Sequence, residues 1–174
     1  MKHFRTATVV ILGLAIFAGG ASAQRKAVRK PVPKKATVKI LPPLDVRAGR
    51  EKVDNQLSNV NDFVNKLGTI AQGLEVADAD AKAGNLSAKT AAKIEGKKNE
   101  IVVAIRNIKV ALTNLESEFR TKPALQKYLV NIQGITDLAA QAEDSAIAGK
   151  FVAAKDPLRE VAKKLTDTLG AMPL

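Results

Sequence analysis

The feature that most constrains this chain is a seven-residue recurrence of apolar side chains over its last three quarters. The first run fills six consecutive heptad positions: Val46, Val53, Val60, Leu67, Leu74 and Ala81. A second run repeats the spacing at Ile94, Ile101, Ile108 and Leu115. This spacing places the side chains on one face of a helix, as in a coiled coil. We therefore expect an all-α domain over residues 44–174.

Prolines, glycines and capping residues divide this domain into four predicted helices, at about residues 45–83, 87–120, 122–147 and 151–169. Pro43 bars extension of the first helix backwards, Gly84 ends it, and Ser87 suits the start of the second. Asp156 and Pro157 either kink the fourth helix or mark its true start, with Asp156 as the cap. Short loops between long helices favour antiparallel neighbours. The prediction is an antiparallel up-down-up-down four-helix bundle.

An internal repeat agrees with this arrangement. When the chain is shifted by 65 residues, Val60 aligns with Leu125, Leu67 with Ile132, and Asp78 with Glu143; beyond residue 90 the offset becomes 64. Two similar helical hairpins would then form the bundle, whether by duplication or by a shared heptad pattern alone.

The N-terminal 23 residues have the pattern of a cleaved signal peptide. Lys2 and Arg5 precede an uncharged apolar run, and Ala21 and Ala23 form a small-residue site that predicts cleavage before Gln24. The alternative is an uncleaved membrane anchor, but about 15 uncharged residues fall short of the roughly 20 that span a bilayer. We expect an exported protein, periplasmic or extracellular, that does not span the membrane after cleavage.

Residues 24–43 predict a disordered, Pro/Lys-rich basic arm. Four prolines disfavour a helix there, and the segment contains seven bases and no acid. The bases are Arg25, Lys26, Arg29, Lys30, Lys34, Lys35 and Lys39. The arm is either an electrostatic tether to lipid headgroups, a cell-wall polymer or another anionic envelope partner, or a solvated linker without a partner.

The formal charge of +11 belongs mainly to that arm. Residues 44–174 contain 19 bases and 17 acids and are nearly neutral. The folded domain therefore has no basic footprint for nucleic acid, and none is expected as a partner. The aromatic residues Phe63, Phe119, Tyr128 and Phe151 fall at helix-stripe or turn positions, which predicts a place in the core rather than a base-stacking platform.

The composition argues against most catalytic chemistry. The chain has no Cys, and its one His, His3, lies in the predicted signal peptide. Nucleophile–His pairs, Glu-x-x-His metal motifs and thiolate ligands are therefore missing. We predict a non-enzyme with no catalytic residue, cofactor or metal. One acidic cluster, at Glu75, Asp78, Asp80, Glu143 and Asp144, is interpreted as a solvated rim, with weak Ca²⁺ or Mg²⁺ binding as the alternative.

The signal peptide, the four-helix pattern and the short turn from Ala146 to Phe151 before the last helix resemble the periplasmic cytochrome b562-type bundles over roughly residues 44–170. That family holds haem between a Met near the start of its first helix and a His near the end of its fourth. This chain has neither residue in those places, and Met172 lies past the last predicted helix. The resemblance therefore implies shape and compartment without the haem.

The predicted helices differ in length, which leads to an expectation about exposed apolar surface. Because the first is about twice as long as the fourth, its N-terminal end should lack full cover and leave Val46, Val53 and Leu57 as an exposed apolar contact. Either the arm segment at residues 38–41 or a partner would then cover it. We expect a protein that acts by binding an envelope partner or an anionic surface. The alternative is a carrier of a small apolar ligand in a cavity near Gly68, Gly73 and Gly134.

Overall fold

A computed structural model describes residues 41–174, and these residues are helical with no strand among them. The six helices are α1 (Leu44–Lys82), α2 (Ala88–Thr121), α3 (Pro123–Gln126), α4 (Leu129–Ile132), α5 (Ile135–Ile147) and α6 (Lys155–Ala171). The predicted signal peptide and nearly all of the basic arm lie outside the described residues. Within them, none of the helices combines the length and apolar character that crossing a membrane requires.

The two long helices form a hairpin whose ends follow local chemistry. Pro43 is extended, at φ −49° and ψ 147°, and Asp45 lies in the first turn of α1 where the helix dipole favours an acid. Ser87 caps α2, because its Oγ accepts a hydrogen bond from the Thr90 N–H at 3.2 Å. An ion pair of 2.9 Å between Lys98 and Asp78 joins the two helices near their turn. Another, between Lys52 and Glu118, joins their far ends, so α1 and α2 run antiparallel.

The heptad stripe forms the core. The fully buried side chains along α1 and α2 include Val53, Val60, Leu67, Ile105 and Leu112. Phe119 and Phe151 are fully buried, Tyr128 is 6% exposed, and Phe63 is half-buried against the same cluster. The expected core role of the four aromatic residues is therefore confirmed. Helix α1 packs against α2 and α6, and α5 packs against the same two helices.

The prediction of one continuous helix over residues 122–147 is wrong. The segment breaks into α3, α4 and α5, with Gln133 extended and Gly134 in the left-handed region at φ 86°. The carboxylate of Glu116, on α2, explains the second break. It accepts hydrogen bonds from the N–H groups of Gly134 at 3.0 Å and Thr136 at 3.2 Å. In a continuous helix those two N–H groups would bond to carbonyls four residues earlier. Glu116, which is only 5% exposed, would then lose both backbone donors.

The predicted start of the last helix at residue 151 is also wrong. Residues 151–154 form turns, α6 begins at Lys155, and its N-cap is Ala154. Asp156 therefore lies inside the first turn, where it pairs with Arg159 at 3.1 Å. Pro157 explains the late start, because a helix running through Phe151 would lack the N–H that residue 157 must donate.

The expected exposed apolar contact at the start of α1 is contradicted. Val46 is 2% exposed, Val53 is fully buried, and Leu57 is partly buried against the core. Arg50 donates from Nη1 to the carbonyl of Met172 at 2.9 Å, so the end of α6 covers this part of α1. Leu125 of α3 lies directly over Gly49 and adds cover that a straight third helix would not provide. The helices differ in length as expected, but α6 packs on the N-terminal half of α1.

Candidate binding surfaces

The residues predicted to carry function divide into two groups. The cleavage-site residues Ala21, Ala23 and Gln24 and the seven bases of the arm lie outside the described residues. The apolar set Val46, Val53 and Leu57 is described and belongs to the core. The structure therefore removes the apolar set as a candidate surface.

Two of the five acids in the acidic cluster, Asp78 and Glu143, are paired with bases. Asp78 lies 2.7 Å from Lys82 Nζ and 2.9 Å from Lys98 Nζ. Hydrogen bonds from Lys82 and then from Lys98 hold the pKa of the Asp78 carboxyl below its ordinary value, against the opposing effect of burial. Because its negative charge is already compensated, Asp78 is a poor ligand for Ca²⁺ or Mg²⁺.

Glu143 has the same kind of surroundings on α5. Its carboxylate is 6% exposed, accepts from Arg106 Nε at 2.8 Å, and forms an ion pair with Lys109. Hydrogen bonds from Lys109 and Arg106 lower the pKa of Glu143. Glu75 accepts from the Val152 N–H at 2.7 Å. Within residues 41–174 no group of three or more potential ligands is arranged to hold a metal ion.

Glu116 is the buried acid that sequence reasoning missed. Burial would raise its pKa, but hydrogen bonds from the Gly134 N–H, Arg120 and Thr136 bring the pKa below its ordinary value. An open polar pocket of about 270 Å³ lies beside it, lined by Thr113, Glu116, Ser117, Arg120, Thr136 and Asp137. Because the Glu116 carboxylate and the Arg120 guanidinium satisfy each other at 2.5 Å, the pocket's main charges are already paired.

Two lysines of α2, Lys97 and Lys98, form ion pairs within their own helix. Lys97 contacts Glu100 at 2.6 Å, and Lys98 contacts Glu95 at 2.8 Å. The Lys98 ammonium also reaches the buried Asp78, and the Lys98 side chain is only 15% exposed. Hydrogen bonds with Glu95 and Asp78 raise the pKa of Lys98.

Two pockets have mainly apolar walls. One of about 390 Å³ lies where the chain enters α1 and is lined by Leu41, Pro42, Pro43, Val46, Pro123, Ala124, Lys127, Tyr128 and Pro173. The other is an open groove of about 310 Å³ lined by Ile70, Gly73, Leu74, Ala77 and Lys97, which we call the hairpin groove.

The three glycines expected near a ligand cavity have different roles. Gly73 lines the hairpin groove. Gly68 has open space where a Cβ would stand. Gly134 forms the left-handed turn before α5. They therefore do not mark one common cavity between the helices.

Comparison of the chain with protein families, with curated proteins and with solved structures finds no significant match.

Proposed function

We propose that this is an exported, non-enzymatic protein of the periplasm or cell envelope that attaches to an anionic surface through its basic arm. In this proposal α1, α2, α5 and α6 form an antiparallel up-down-up-down bundle, shaped like the cytochrome b562-type proteins but without haem. The bundle is a compact body attached to the arm. The anionic surface is made of lipid headgroups or of cell-wall polymer.

The observation that carries the proposal is the division of charge along the chain. Residues 24–43 contain seven bases and no acid, whereas residues 44–174 are nearly balanced. In the described part, the buried acids Asp78, Glu116 and Glu143 are each bonded to at least one base of the same body. Positive charge is therefore concentrated in the arm, and each base near an anionic membrane surface adds about 1 kcal/mol of attraction.

The bundle arrangement has support from the helix contacts. Helix α1 packs beside α2 and α6, and α5 packs beside the same pair, which is the neighbour pattern of four helices around one core. Arg50 contacts the chain after α6, and Glu75 contacts the turn before it, so α1 and α6 run antiparallel. Glu116 and Glu143 relate α2 and α5 in the same way.

The test is a binding assay with the protein purified after expression of the whole chain, its N-terminus checked by mass spectrometry. Vesicles containing anionic phosphatidylglycerol and purified cell-wall polymer are the two probes, and neutral phosphatidylcholine vesicles are the control. We expect binding to an anionic probe that falls steeply between about 0.05 and 0.5 M salt, because screening weakens exposed charges.

Two variants separate the arm from the body. Deletion of residues 24–39 should abolish the binding, and so should replacement of the seven arm bases by glutamine. Replacement of the exposed body bases Lys66, Arg159 and Lys163 by glutamine is the matched control and should leave most of the binding intact. Binding that survives loss of the arm bases would refute the proposal.

A further inference from the structure

The α1–α2 hairpin extends past the rest of the fold. Helix α1 has 39 residues and α6 has 17, which at 1.5 Å per residue correspond to about 58 and 26 Å. The bond from Arg50 to Met172 fixes one end of α6 near the start of α1. The bond from the Val152 N–H to Glu75 fixes the turn before α6 against α1. We call residues 70–98, which include the last part of α1 and the first turns of α2, the hairpin tip.

The apolar stripe of α1 continues into this tip, where Ala71 is still fully buried but the positions after it are less covered. Earlier on the same helix, Val60 is fully buried and Leu67 is 1% exposed. In the tip, Leu74, Ala77, Ala81 and Ile94 are only half-buried. Ile70 is 47% exposed at the edge of the hairpin groove. An apolar stripe that its neighbours leave half-buried indicates room for a further partner.

The two sides of the tip carry opposite charge. The α1 side contains Glu75, Asp78 and Asp80 against Lys82. Asp78 is already paired with Lys82 and Lys98, so within residues 41–174 Glu75 and Asp80 are the acids of this side without an ion pair. The α2 side contains Lys89, Lys93, Lys97 and Lys98 against Glu95. In the described part of the chain, the ion pairs involve neither Lys89 nor Lys93. These two lysines are exposed and available to an acidic neighbour.

We propose that the hairpin tip binds the hairpin tip of a second copy of this chain. In a two-fold association each surface meets the same surface of its partner, so the acidic α1 side of one copy lies against the basic α2 side of the other. Two hairpins together make four helices, which bury the stripe that one hairpin leaves half-exposed. An anionic lipid surface fits the tip less well, because the acidic side would be repelled by it.

Sedimentation equilibrium of the whole protein tests the association in low and high salt. We expect the mass to rise from one chain towards two as the concentration increases. Ile70→Glu places a charge in the groove and should weaken the association at least about tenfold. Val130→Glu is the matched control, because Val130 is 67% exposed on α4, outside the tip, and the change should have no effect. Thermal unfolding checks that both variants fold.

Exchange of charge between the two sides tests the pairing itself. Asp80→Lys alone, and Lys89→Glu with Lys93→Glu, should each weaken the association several-fold, and the triple variant should restore part of it. A mass of one chain at every concentration would overturn the proposal. So would a dimer that Ile70→Glu leaves unchanged, or a monomer whose tip binds vesicles instead. Because arm deletion does not alter the tip, this outcome is separate from that of the vesicle assay.

Discussion

Among single residues, the glycines of α1 show most directly how packing decides the effect of a side chain. A Cβ on Gly49 would lie 2.8 Å from Leu125 Cδ2, whereas a Cβ on Gly68 would have nothing within 4 Å. Gly49 therefore permits α3 to lie against α1, and Gly68 has no packing role in the described structure.

This difference predicts opposite signs for the same substitution. Gly49→Ala should lower the free energy of unfolding by about 1–3 kcal/mol, because the buried Leu125 must move. Gly68→Ala should raise it by about 0.5–1 kcal/mol, because alanine loses less backbone entropy in a helix. Urea unfolding followed by circular dichroism measures both. A stabilised Gly49→Ala variant would contradict the packing of Leu125 on α1.

Glu116 provides the second prediction at this scale. Its carboxylate accepts from Gly134, Thr136 and Arg120 while 5% exposed, so its bonds are partly charge-assisted and shielded from water. Glu116→Gln should cost about 1.5–3 kcal/mol of unfolding free energy. Glu118→Gln, two residues away in a more exposed pair with Lys52 and Lys122, should cost less than about 1 kcal/mol. Equal losses in the two variants would show that Glu116 does not hold the turn.

At the scale of elements, the sequence predicts the bounds of the helices whose apolar residues follow a heptad pattern. It does not predict a break that a side chain of another helix imposes. The long α1 and α2 are predictable because their apolar stripes, Pro43 and Ser87 all point to the same bounds. The division of residues 122–147 depends on Glu116, a residue of another helix. No pattern within residues 122–147 reports that contact, and the internal repeat favours continuity there.

The turn before α5 gives a prediction for that element. Gly134 has φ 86°, where a Cβ costs about 1–2 kcal/mol and asparagine costs less than other residues. Gly134→Ala should therefore destabilise the protein by about 1–2 kcal/mol, and Gly134→Asn by less. Gly96→Ala, at an uncrowded position inside α2, is the control and should be neutral or stabilising. Hydrogen exchange should show faster opening of α5 in Gly134→Ala. If the variant lost amide protection only in α1, the turn at Gly134 would not be what stabilises α5.

The candidate surfaces were predictable to a smaller extent. Unequal helix lengths indicated that one end of α1 would be less covered. The half-buried side chains of the hairpin tip show such an end, but it is the C-terminal end of α1 and not the N-terminal one. The identity of the end depends on where α6 lies along α1, which is fixed by Arg50 and by the turn at Val152. Hydrophobic periodicity gives the face of a helix but not its displacement along a neighbour.

For the whole molecule, the three buried acids link stability to pH. Asp78, Glu116 and Glu143 have pKa values below their ordinary ones in the folded protein. Folding therefore favours their charged forms, and the resulting stabilisation is complete above the ordinary carboxyl range near pH 4. As pH falls through that range and then through the lower folded values, these groups bind protons more readily in the unfolded chain, and stability is lost. Lys98, whose pKa is raised, contributes at neutral pH and loses its contribution only above about pH 10.

We expect the melting temperature to be nearly constant between about pH 6 and 9 and to fall steeply below about pH 5. Asp78→Asn combined with Glu143→Gln should lower the melting temperature at pH 7 and flatten its decline towards pH 3, because the removed carboxyls no longer exchange protons on unfolding. Asp156→Asn with Asp167→Asn is the matched control, since both acids are exposed, and it should preserve the slope. Differential scanning calorimetry across this range measures the profiles. If the variant with Asp78→Asn and Glu143→Gln keeps the same decline of melting temperature in acid, other groups cause that decline. The bases around Asp78 and Glu143 would then not help to hold α1, α2 and α5 together.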